Sequence, residues 1–243
     1  MKPKACIILP TYNEKENINL ILDALIKEFQ TIENFEMEIL VVDDNSPDKT
    51  WEIVKEYSEK HSNIHLLLRK KKSGLGSAYI EGINLAIDKL KADFVFNMDA
   101  DLSHDPKLIS QMLKYGQEYD LIIGSRYIKG GGFANWPWYR KLISKGANLF
   151  GVIFLGLNVK DISSGFRCYS KEIINRTDLS KIESKGYAFL EELLFHCIKN
   201  GAKVKEIPLI FVDRTKGETK LNKKEMINFF LTIIRLRRKY GKA

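Results

Sequence analysis

Short apolar runs, each ending in a polar loop and each followed by a segment of helical periodicity, constrain this chain most. The runs fall at 5–10, 38–42, 64–68, 93–98 and 119–124, with helical spacing between them at 17–29, 50–61, 74–90 and 105–116. In the first helical segment Ile18, Ile21, Leu22, Leu25 and Ile26 share one face. Near-continuous apolar strands alternating with helices predict an α/β chain: a mostly parallel central sheet with helices on both faces. Pro106 is expected in the first turn of its helix. After Arg126 the rhythm breaks. Gly130-Gly131-Gly132 and Trp136-Pro137-Trp138 have the composition of a lid. An apolar helix over 140–157, a turn at 161–165 and a strand over 166–169 follow, then a helix over 188–199 and a strand over 204–212. A basic amphipathic helix is expected over 223–239. With no repeat or linker, the organisation is one domain over 1–222 and a C-terminal helical extension over 223–243.

In a parallel sheet the loops after the strands share one edge, where open α/β sheets bind their ligands. Three of these loops carry acids: Glu14, the Asp43/Asp44 pair and the Asp99/Asp101 pair. Any one of them suits a solvated loop that starts a helix. Together they repel unless a cation compensates, and two carboxylates one residue apart suit a hard cation that holds phosphate oxygens. Other chemistries find less support. Gly74-Leu75-Gly76 is no dinucleotide fingerprint, because Tyr79 stands where the third glycine belongs; its glycines read as room for a ligand or a helix start. Ser164-Gly165 lacks the hydrolase Gly-x-Ser-x-Gly turn. His61 and His65 read as solvated, and His104 as a neighbour of the paired aspartates or a helix entry.

Charge is unevenly placed. The net +8 of the chain equals the excess in residues 214–243, which hold ten Lys/Arg against two Glu. Such a tail meets nucleic acid, anionic lipid or an anionic substrate. The acidic loops and the lack of interleaved aromatics in the tail count against nucleic acid. Cys6, Cys168 and Cys197 are too far apart for a zinc site or a disulfide framework, which predicts a reducing compartment. Lys2, Lys4 and the first strand leave no room for a signal peptide. No run approaches the roughly 18 apolar residues of a membrane-spanning helix.

Three segments now stand out: Leu9-Pro10-Thr11-Tyr12-Asn13-Glu14, Val41-Val42-Asp43-Asp44-Asn45-Ser46-Pro47-Asp48 and Met98-Asp99-Ala100-Asp101-Leu102-Ser103-His104. They resemble the nucleotide-sugar half of family 2 glycosyltransferases with the GT-A fold. Gly124-Ser125-Arg126-Tyr127, the segment 140–148, Ser164-Gly165-Phe166-Arg167 and the segment 213–221 resemble dolichyl-phosphate (polyprenyl-phosphate) mannose synthases. The resemblance runs in consistent order from 5 to about 222.

It implies a metal-dependent, inverting transfer of mannose from GDP-mannose to dolichyl or polyprenyl phosphate. Pro10, Tyr12, Glu14, Val42 and Asp44 would line the guanosine pocket. Met98, Asp99, Ala100 and Asp101 would run beneath the ribose and diphosphate, with Mg²⁺ or Mn²⁺ on Asp99 and Asp101. Arg126, Arg214 and Lys220 would grip phosphates, and Arg126, Arg140, Ser144 and Arg214 the lipid phosphate. Asp101, Arg214 and Lys220 would be the catalytic set. Where some relatives place a further metal ligand, a glutamine, this chain has Ser103. The resemblance also implies a peripheral protein on the cytosolic face of a membrane, docked through its tail helix or through a membrane-anchoring partner. On that helix Met226, Phe229, Phe230, Ile233 and Ile234 form a stripe, which also fits core packing. Two rivals stand beside this reading: the same fold using a UDP-sugar such as UDP-glucose, and a non-catalytic binding module driven by the basic tail.

Overall fold

The computed structural model describes residues 2–213 and 223–243. The first apolar run forms β1 (Lys4–Thr11), and five of its residues, Ala5 to Leu9, have no solvent exposure. A strand buried on both faces needs sheet neighbours on both sides, and β1 has them. β2 (Glu36–Asp43) and then β3 (Ile64–Leu68) extend the sheet on one side, while β4 (Phe94–Asn97) pairs on the other, all parallel. The helices that carry the chain between them are α1 (Ile18–Phe29), α2 (Thr50–Lys60) and α3 (Leu75–Asp88). Between β1 and β4 the winding reverses, which is where such sheets open a crevice at their carboxyl edge.

The far side departs from simple alternation. β5 (Leu121–Ser125) follows α4 (Leu108–Gly116) but does not pair with β4. Between them lies β7 (Arg167–Ser170), antiparallel to both, and β8 (Val204–Pro208) completes a seven-stranded order of β3-β2-β1-β4-β7-β5-β8. The single strand expected over 204–212 is two. After Pro208, which has no N–H for a ladder, the chain leaves the main sheet. β9 (Ile210–Val212) then pairs with β6 (Gly132–Ala134), inside the expected lid. Pro106 precedes its helix, and its carbonyl accepts from the Ile109 N–H at 3.0 Å.

Helices cover both faces. Ile18, Ile21, Leu22 and Leu25 of α1 pack with Val54 of α2 and Ile109, Met112 and Leu113 of α4 against one face. The other face meets α3, α7 (Phe189–Lys199) and the C-terminal α8 (Lys223–Tyr240). A short helix, α6 (Lys171–Arg176), and a long one, α5 (Trp138–Leu155), complete the fold. The tail helix is part core: Ile233 and Leu236 are fully buried. Its basic end is latched inward, with Arg235 on Glu192 at 2.7 Å and on Glu183 at 2.8 Å, and Lys239 on Glu183 at 2.8 Å. All three cysteines are free and buried.

Candidate active site

At the β1 edge the chain turns at Asn13, whose φ of 56° is a left-handed conformation that asparagine tolerates. Asp43 is fully buried between the first two loops. Its carboxylate accepts from Thr11 Oγ1 at 2.7 Å, Ser46 N at 2.8 Å and Ser46 Oγ at 2.7 Å, tying the first two loops together. Glu14 is buried beside them and accepts from Asn17 Nδ2 at 2.9 Å. Asp44 is buried too. Burial pushes its carboxyl up, against the pull of the Arg69 guanidinium 2.8 Å away. Arg69 is held in turn by Ser77 Oγ at 2.6 Å and Glu81 at 3.2 Å.

At the β4 edge the ladder places Asn97 opposite Ile8, and Met98 N–H donates to the Ile8 carbonyl at 3.2 Å. Asp99-Ala100-Asp101 therefore begins beside the end of β1. Leu102 follows at φ 62°, which turns the chain so that Ser103 N–H donates to Asp101 Oδ1 at 3.1 Å. The side chain of Asp99 is 35% exposed, whereas Asp101 is nearly buried. Beneath them Ser103 Oγ and both polar atoms of the Asn97 side chain are buried without a hydrogen-bond partner among the described residues. His104 is buried and stacked on Phe166 at 5.1 Å. Its Nδ1 accepts from the Asp99 N–H at 3.1 Å, and burial lowers its pKa to about 4, so the ring is neutral at neutral pH. It positions Asp99 rather than entering a helix.

Beyond Asp99 a cavity of about 380 Å³ opens between α5, α8 and the start of α7. Its walls are mainly apolar, including Ile143, Leu190, Met226, Phe229 and Phe230. The expected acceptor residues reach it already engaged. Arg126 is bonded to Asp161 through Nε at 2.8 Å and Nη2 at 2.7 Å, and to Ser163 Oγ at 2.7 Å. Arg140 lies 3.7 Å from the Trp136 ring centre and 2.7 Å from Asp213. Ser144 shares a 2.6 Å hydrogen bond with Tyr127. Glu191, also in the wall, is buried, and that burial raises its carboxyl to about 7.

The structure thus gathers Pro10, Tyr12, Glu14, Val42 and Asp44 on one side of the crevice and Met98 to Asp101 across it, with Arg126, Arg140 and Ser144 around the cavity. Arg214 and Lys220 lie outside the described residues. Sequence reasoning missed Arg69, Asp161 and Glu191. Only Arg69 carried a signal, as a cation directly after a strand. Gly74 and Gly76 were read as room for a ligand or a helix start; they start α3, and the backbone they admit is that of Lys185 at Gly74 and Ser184 at Gly76, with the Lys185 carbonyl accepting from Gly76 N–H at 2.8 Å.

Two carboxylates one residue apart, with an orphaned serine hydroxyl beside them, form an all-oxygen donor set for a hard cation. No group of three or more His, Cys, Asp or Glu side chains that could hold a metal occurs among the described residues. A cation bound through one or two carboxylates takes its other ligands from substrate phosphates and water, as Mg²⁺ does in phosphate-transfer sites.

Comparison with known proteins agrees with this geometry. The pattern of "Glycosyl transferase family 2" matches residues 6–177. The undecaprenyl-phosphate mannosyltransferase of Micrococcus luteus is 40% identical over 215 residues, 88% of this chain and 86% of that protein. The polyprenol monophosphomannose synthase of Mycolicibacterium smegmatis is 38% identical over 221 residues, 90% of this chain and 81% of that protein. Among solved structures, a mannosyltransferase from Pyrobaculum calidifontis in complex with GDP-Man and Mn²⁺ superposes with a TM-score of 0.64 at 15% identity, covering 100% of this chain and 66% of that one. The glucosyl-3-phosphoglycerate synthase of Mycobacterium tuberculosis, in complex with Mn²⁺ and UDP-glucose, gives 0.67 at 16% identity, covering 99% and 80%. At those identities the likeness is one of fold.

Proposed function

The chain belongs to glycosyl transferase family 2, and from that premise we propose that it transfers mannose from GDP-mannose to a polyprenyl phosphate, releasing GDP. One observation carries this reading. Asp99 stands both at the crevice between β1 and β4 and in the wall of an apolar cavity. A nucleoside diphosphate sugar held over the paired aspartates therefore points its sugar into a space suited to a lipid.

The barrier is charge building on the departing diphosphate. Asp99 and Asp101 would hold Mg²⁺ or Mn²⁺, which would supply positive charge to that leaving group. The Ser103 amide holds the Asp101 carboxylate and His104 holds the Asp99 backbone N–H, so the Asp99-Ala100-Asp101 turn is set before substrate arrives. Pro10, Tyr12, Glu14, Val42 and Asp44 hold the nucleoside, and Met98 and Ala100 pass beneath the ribose. The acceptor phosphate meets Arg140 and Ser144 in the cavity wall, with Arg126 fixed behind them by Asp161. Arg214 and Lys220, outside the described residues, supply further positive charge to the phosphates in this reading. A phosphate monoester is largely dianionic at neutral pH, its second pKa being about 6, so the attack needs no strong base. A His104 that stays neutral is consistent with that economy. Direct displacement inverts the anomeric carbon.

The test is incubation with labelled GDP-mannose or UDP-glucose, polyprenyl phosphate and Mn²⁺, followed by lipid extraction. Label in the lipid from GDP-mannose supports the reading. Label from UDP-glucose alone makes the chain a glucosyltransferase, and none from either favours a binding module.

Among the described residues no helix is long and apolar enough to cross a membrane. Leu142 and Ile153 of α5 are each 64% exposed, and Ile227 and Leu231 of α8 each 58%. With Lys141, Lys145 and Lys224 nearby in sequence, these residues suit peripheral attachment to an anionic bilayer, where each basic residue adds about 1 kcal/mol. Deleting α8 would open the core at Ile233 and Leu236. The cleaner variant is Ile227→Glu with Leu231→Glu. Its expected result is at least a tenfold loss of binding to vesicles containing anionic lipid, with melting temperature and GDP binding unchanged; a tenfold change corresponds to about 1.4 kcal/mol. Unchanged vesicle binding would remove α8 from the membrane contact.

A further inference from the structure

The loop between β3 and α3 is anchored at both ends. On one side Arg69 N–H donates to the Asp43 carbonyl at 2.8 Å, and its guanidinium is locked onto Asp44. On the other side Gly74, at φ 101°, sits so close to the Lys185 carbonyl that only glycine fits. Against the effect of burial, the Ser73 backbone between these anchors lies near enough to Asp44 to pull its carboxyl down. Lys72 extends its ammonium over the ring of Tyr12, 3.7 Å from the centre. That is van der Waals contact, at a mouth where the side chain is otherwise exposed. The charge of Lys72 is also felt by Asp44.

This inference rests on the proposed reading, in which Tyr12 and Asp44 line the base pocket. A base laid on that face of Tyr12 cannot share it with the ammonium. Lys72 is then displaced but stays beside the base, because its loop is fixed at both ends and Asp44 attracts it. What it meets there depends on the base. Guanine sets donors, N1–H and the N2 amino group, next to acceptors at O6 and N7. Asp44 only accepts and Lys72 only donates, so the pair matches the N1–H and N2 donors of one edge and the O6/N7 acceptors of the adjoining one. Uracil offers a single N–H between two carbonyls, which sets an oxygen against the carboxylate on either side. We infer that Lys72 is a specificity residue for the donor base: it covers Tyr12 in the empty protein and moves to the O6/N7 edge of guanine when GDP-sugar binds.

The experiment is calorimetric titration of the full chain and of Lys72→Met with GDP, UDP and the diphosphate of 2-aminopurine riboside, which lacks the O6 and N1–H of guanosine and keeps N7. A lysine contact to O6 and N7 discriminates by about 1–3 kcal/mol, so Lys72→Met should weaken GDP binding roughly tenfold and leave UDP unchanged. The 2-aminopurine nucleotide leaves the lysine only N7, so Lys72→Met should weaken its binding by clearly less than it weakens GDP; an equal loss for the two would overturn the contact to O6. Equal weakening for GDP and UDP would assign Lys72 to the phosphates and overturn the inference. So would a GDP preference that survives intact in Lys72→Met. A wild-type chain that prefers UDP would overturn the donor reading itself, and with it the role of Lys72.

Discussion

Asp101→Ala loses mannosyl transfer by roughly a thousandfold or more while the protein stays folded. Removing one preorganised group that stabilises transition-state charge costs about 10²–10³ in rate, and Asp101 would hold the cation as well as carry the charge. Its Oδ1 accepts a hydrogen bond from the Ser103 amide at 3.1 Å. Losing such a bond costs about 1 kcal/mol, or about 2–4 °C in a chain of this size. Two measurements separate the effects: labelled lipid extracted over a Mn²⁺ series, and thermal melts with and without Mn²⁺ and GDP. Wild type gains stability when both ligands are added and the variant does not. A variant that keeps full activity would remove the metal from Asp101.

The largest stability effect is expected at Asp161, a residue that no motif marks. Its side chain is fully buried and carries the bidentate contact with Arg126, whose backbone N–H it also accepts at 2.9 Å. Asp161→Asn leaves the Arg126 charge buried and uncompensated. Breaking one partner of such a pair costs about 3–5 kcal/mol, a fall of about 10 °C. Replacing both partners with apolar residues should cost less than the single change. The pH dependence has a definite sign. Burial alone would raise the Asp161 carboxyl, but Arg126 outweighs it and holds the group below 3.8, the ordinary value. The folded pKa therefore lies under the unfolded one, and the contribution is fully present above 3.8 and lost as pH falls through the lower folded value. Acid melts should show wild type and Asp161→Asn far apart at pH 7 and converging below 3.8. A gap constant with pH would mean that the ion pair contributes nothing through its charge.

The parallel half of the sheet was legible because each strand there is an unbroken apolar run, followed at once by a helix that returns to the same edge. β7 was legible as a strand over 166–169 but not in its place or direction, since four residues at the end of a long excursion carry no sign of either. The break at Leu209 was hidden for another reason. Apolar character runs unbroken from Ile207 to Val212, and only the missing N–H of Pro208 hints that the ladder stops. The carboxylates of the site could be read from their place after strands. Their buried partners could not: Arg69 is 25 residues from Asp44, and Asp161 is 35 from Arg126. Periodicity likewise marked an apolar stripe on the tail helix without saying what covers it. Ile233 went to the core, Met226 and Phe230 to the cavity wall, and the outer pair Ile227 and Leu231 lay off the stripe altogether.

The two edges of α8 have a kinetic consequence. Met226, Phe229 and Phe230 line the cavity, while Ile227 and Leu231, on the same two turns, face away from the core. In the proposed reaction a lipid tail passes from bilayer to cavity along one helix, without crossing water. The acceptor is then a reactant in two dimensions, and its supply depends on mole fraction in the membrane rather than on bulk concentration. Diluting the bilayer with inert lipid should slow turnover even when total acceptor is held constant, whereas the water-borne donor should saturate as before.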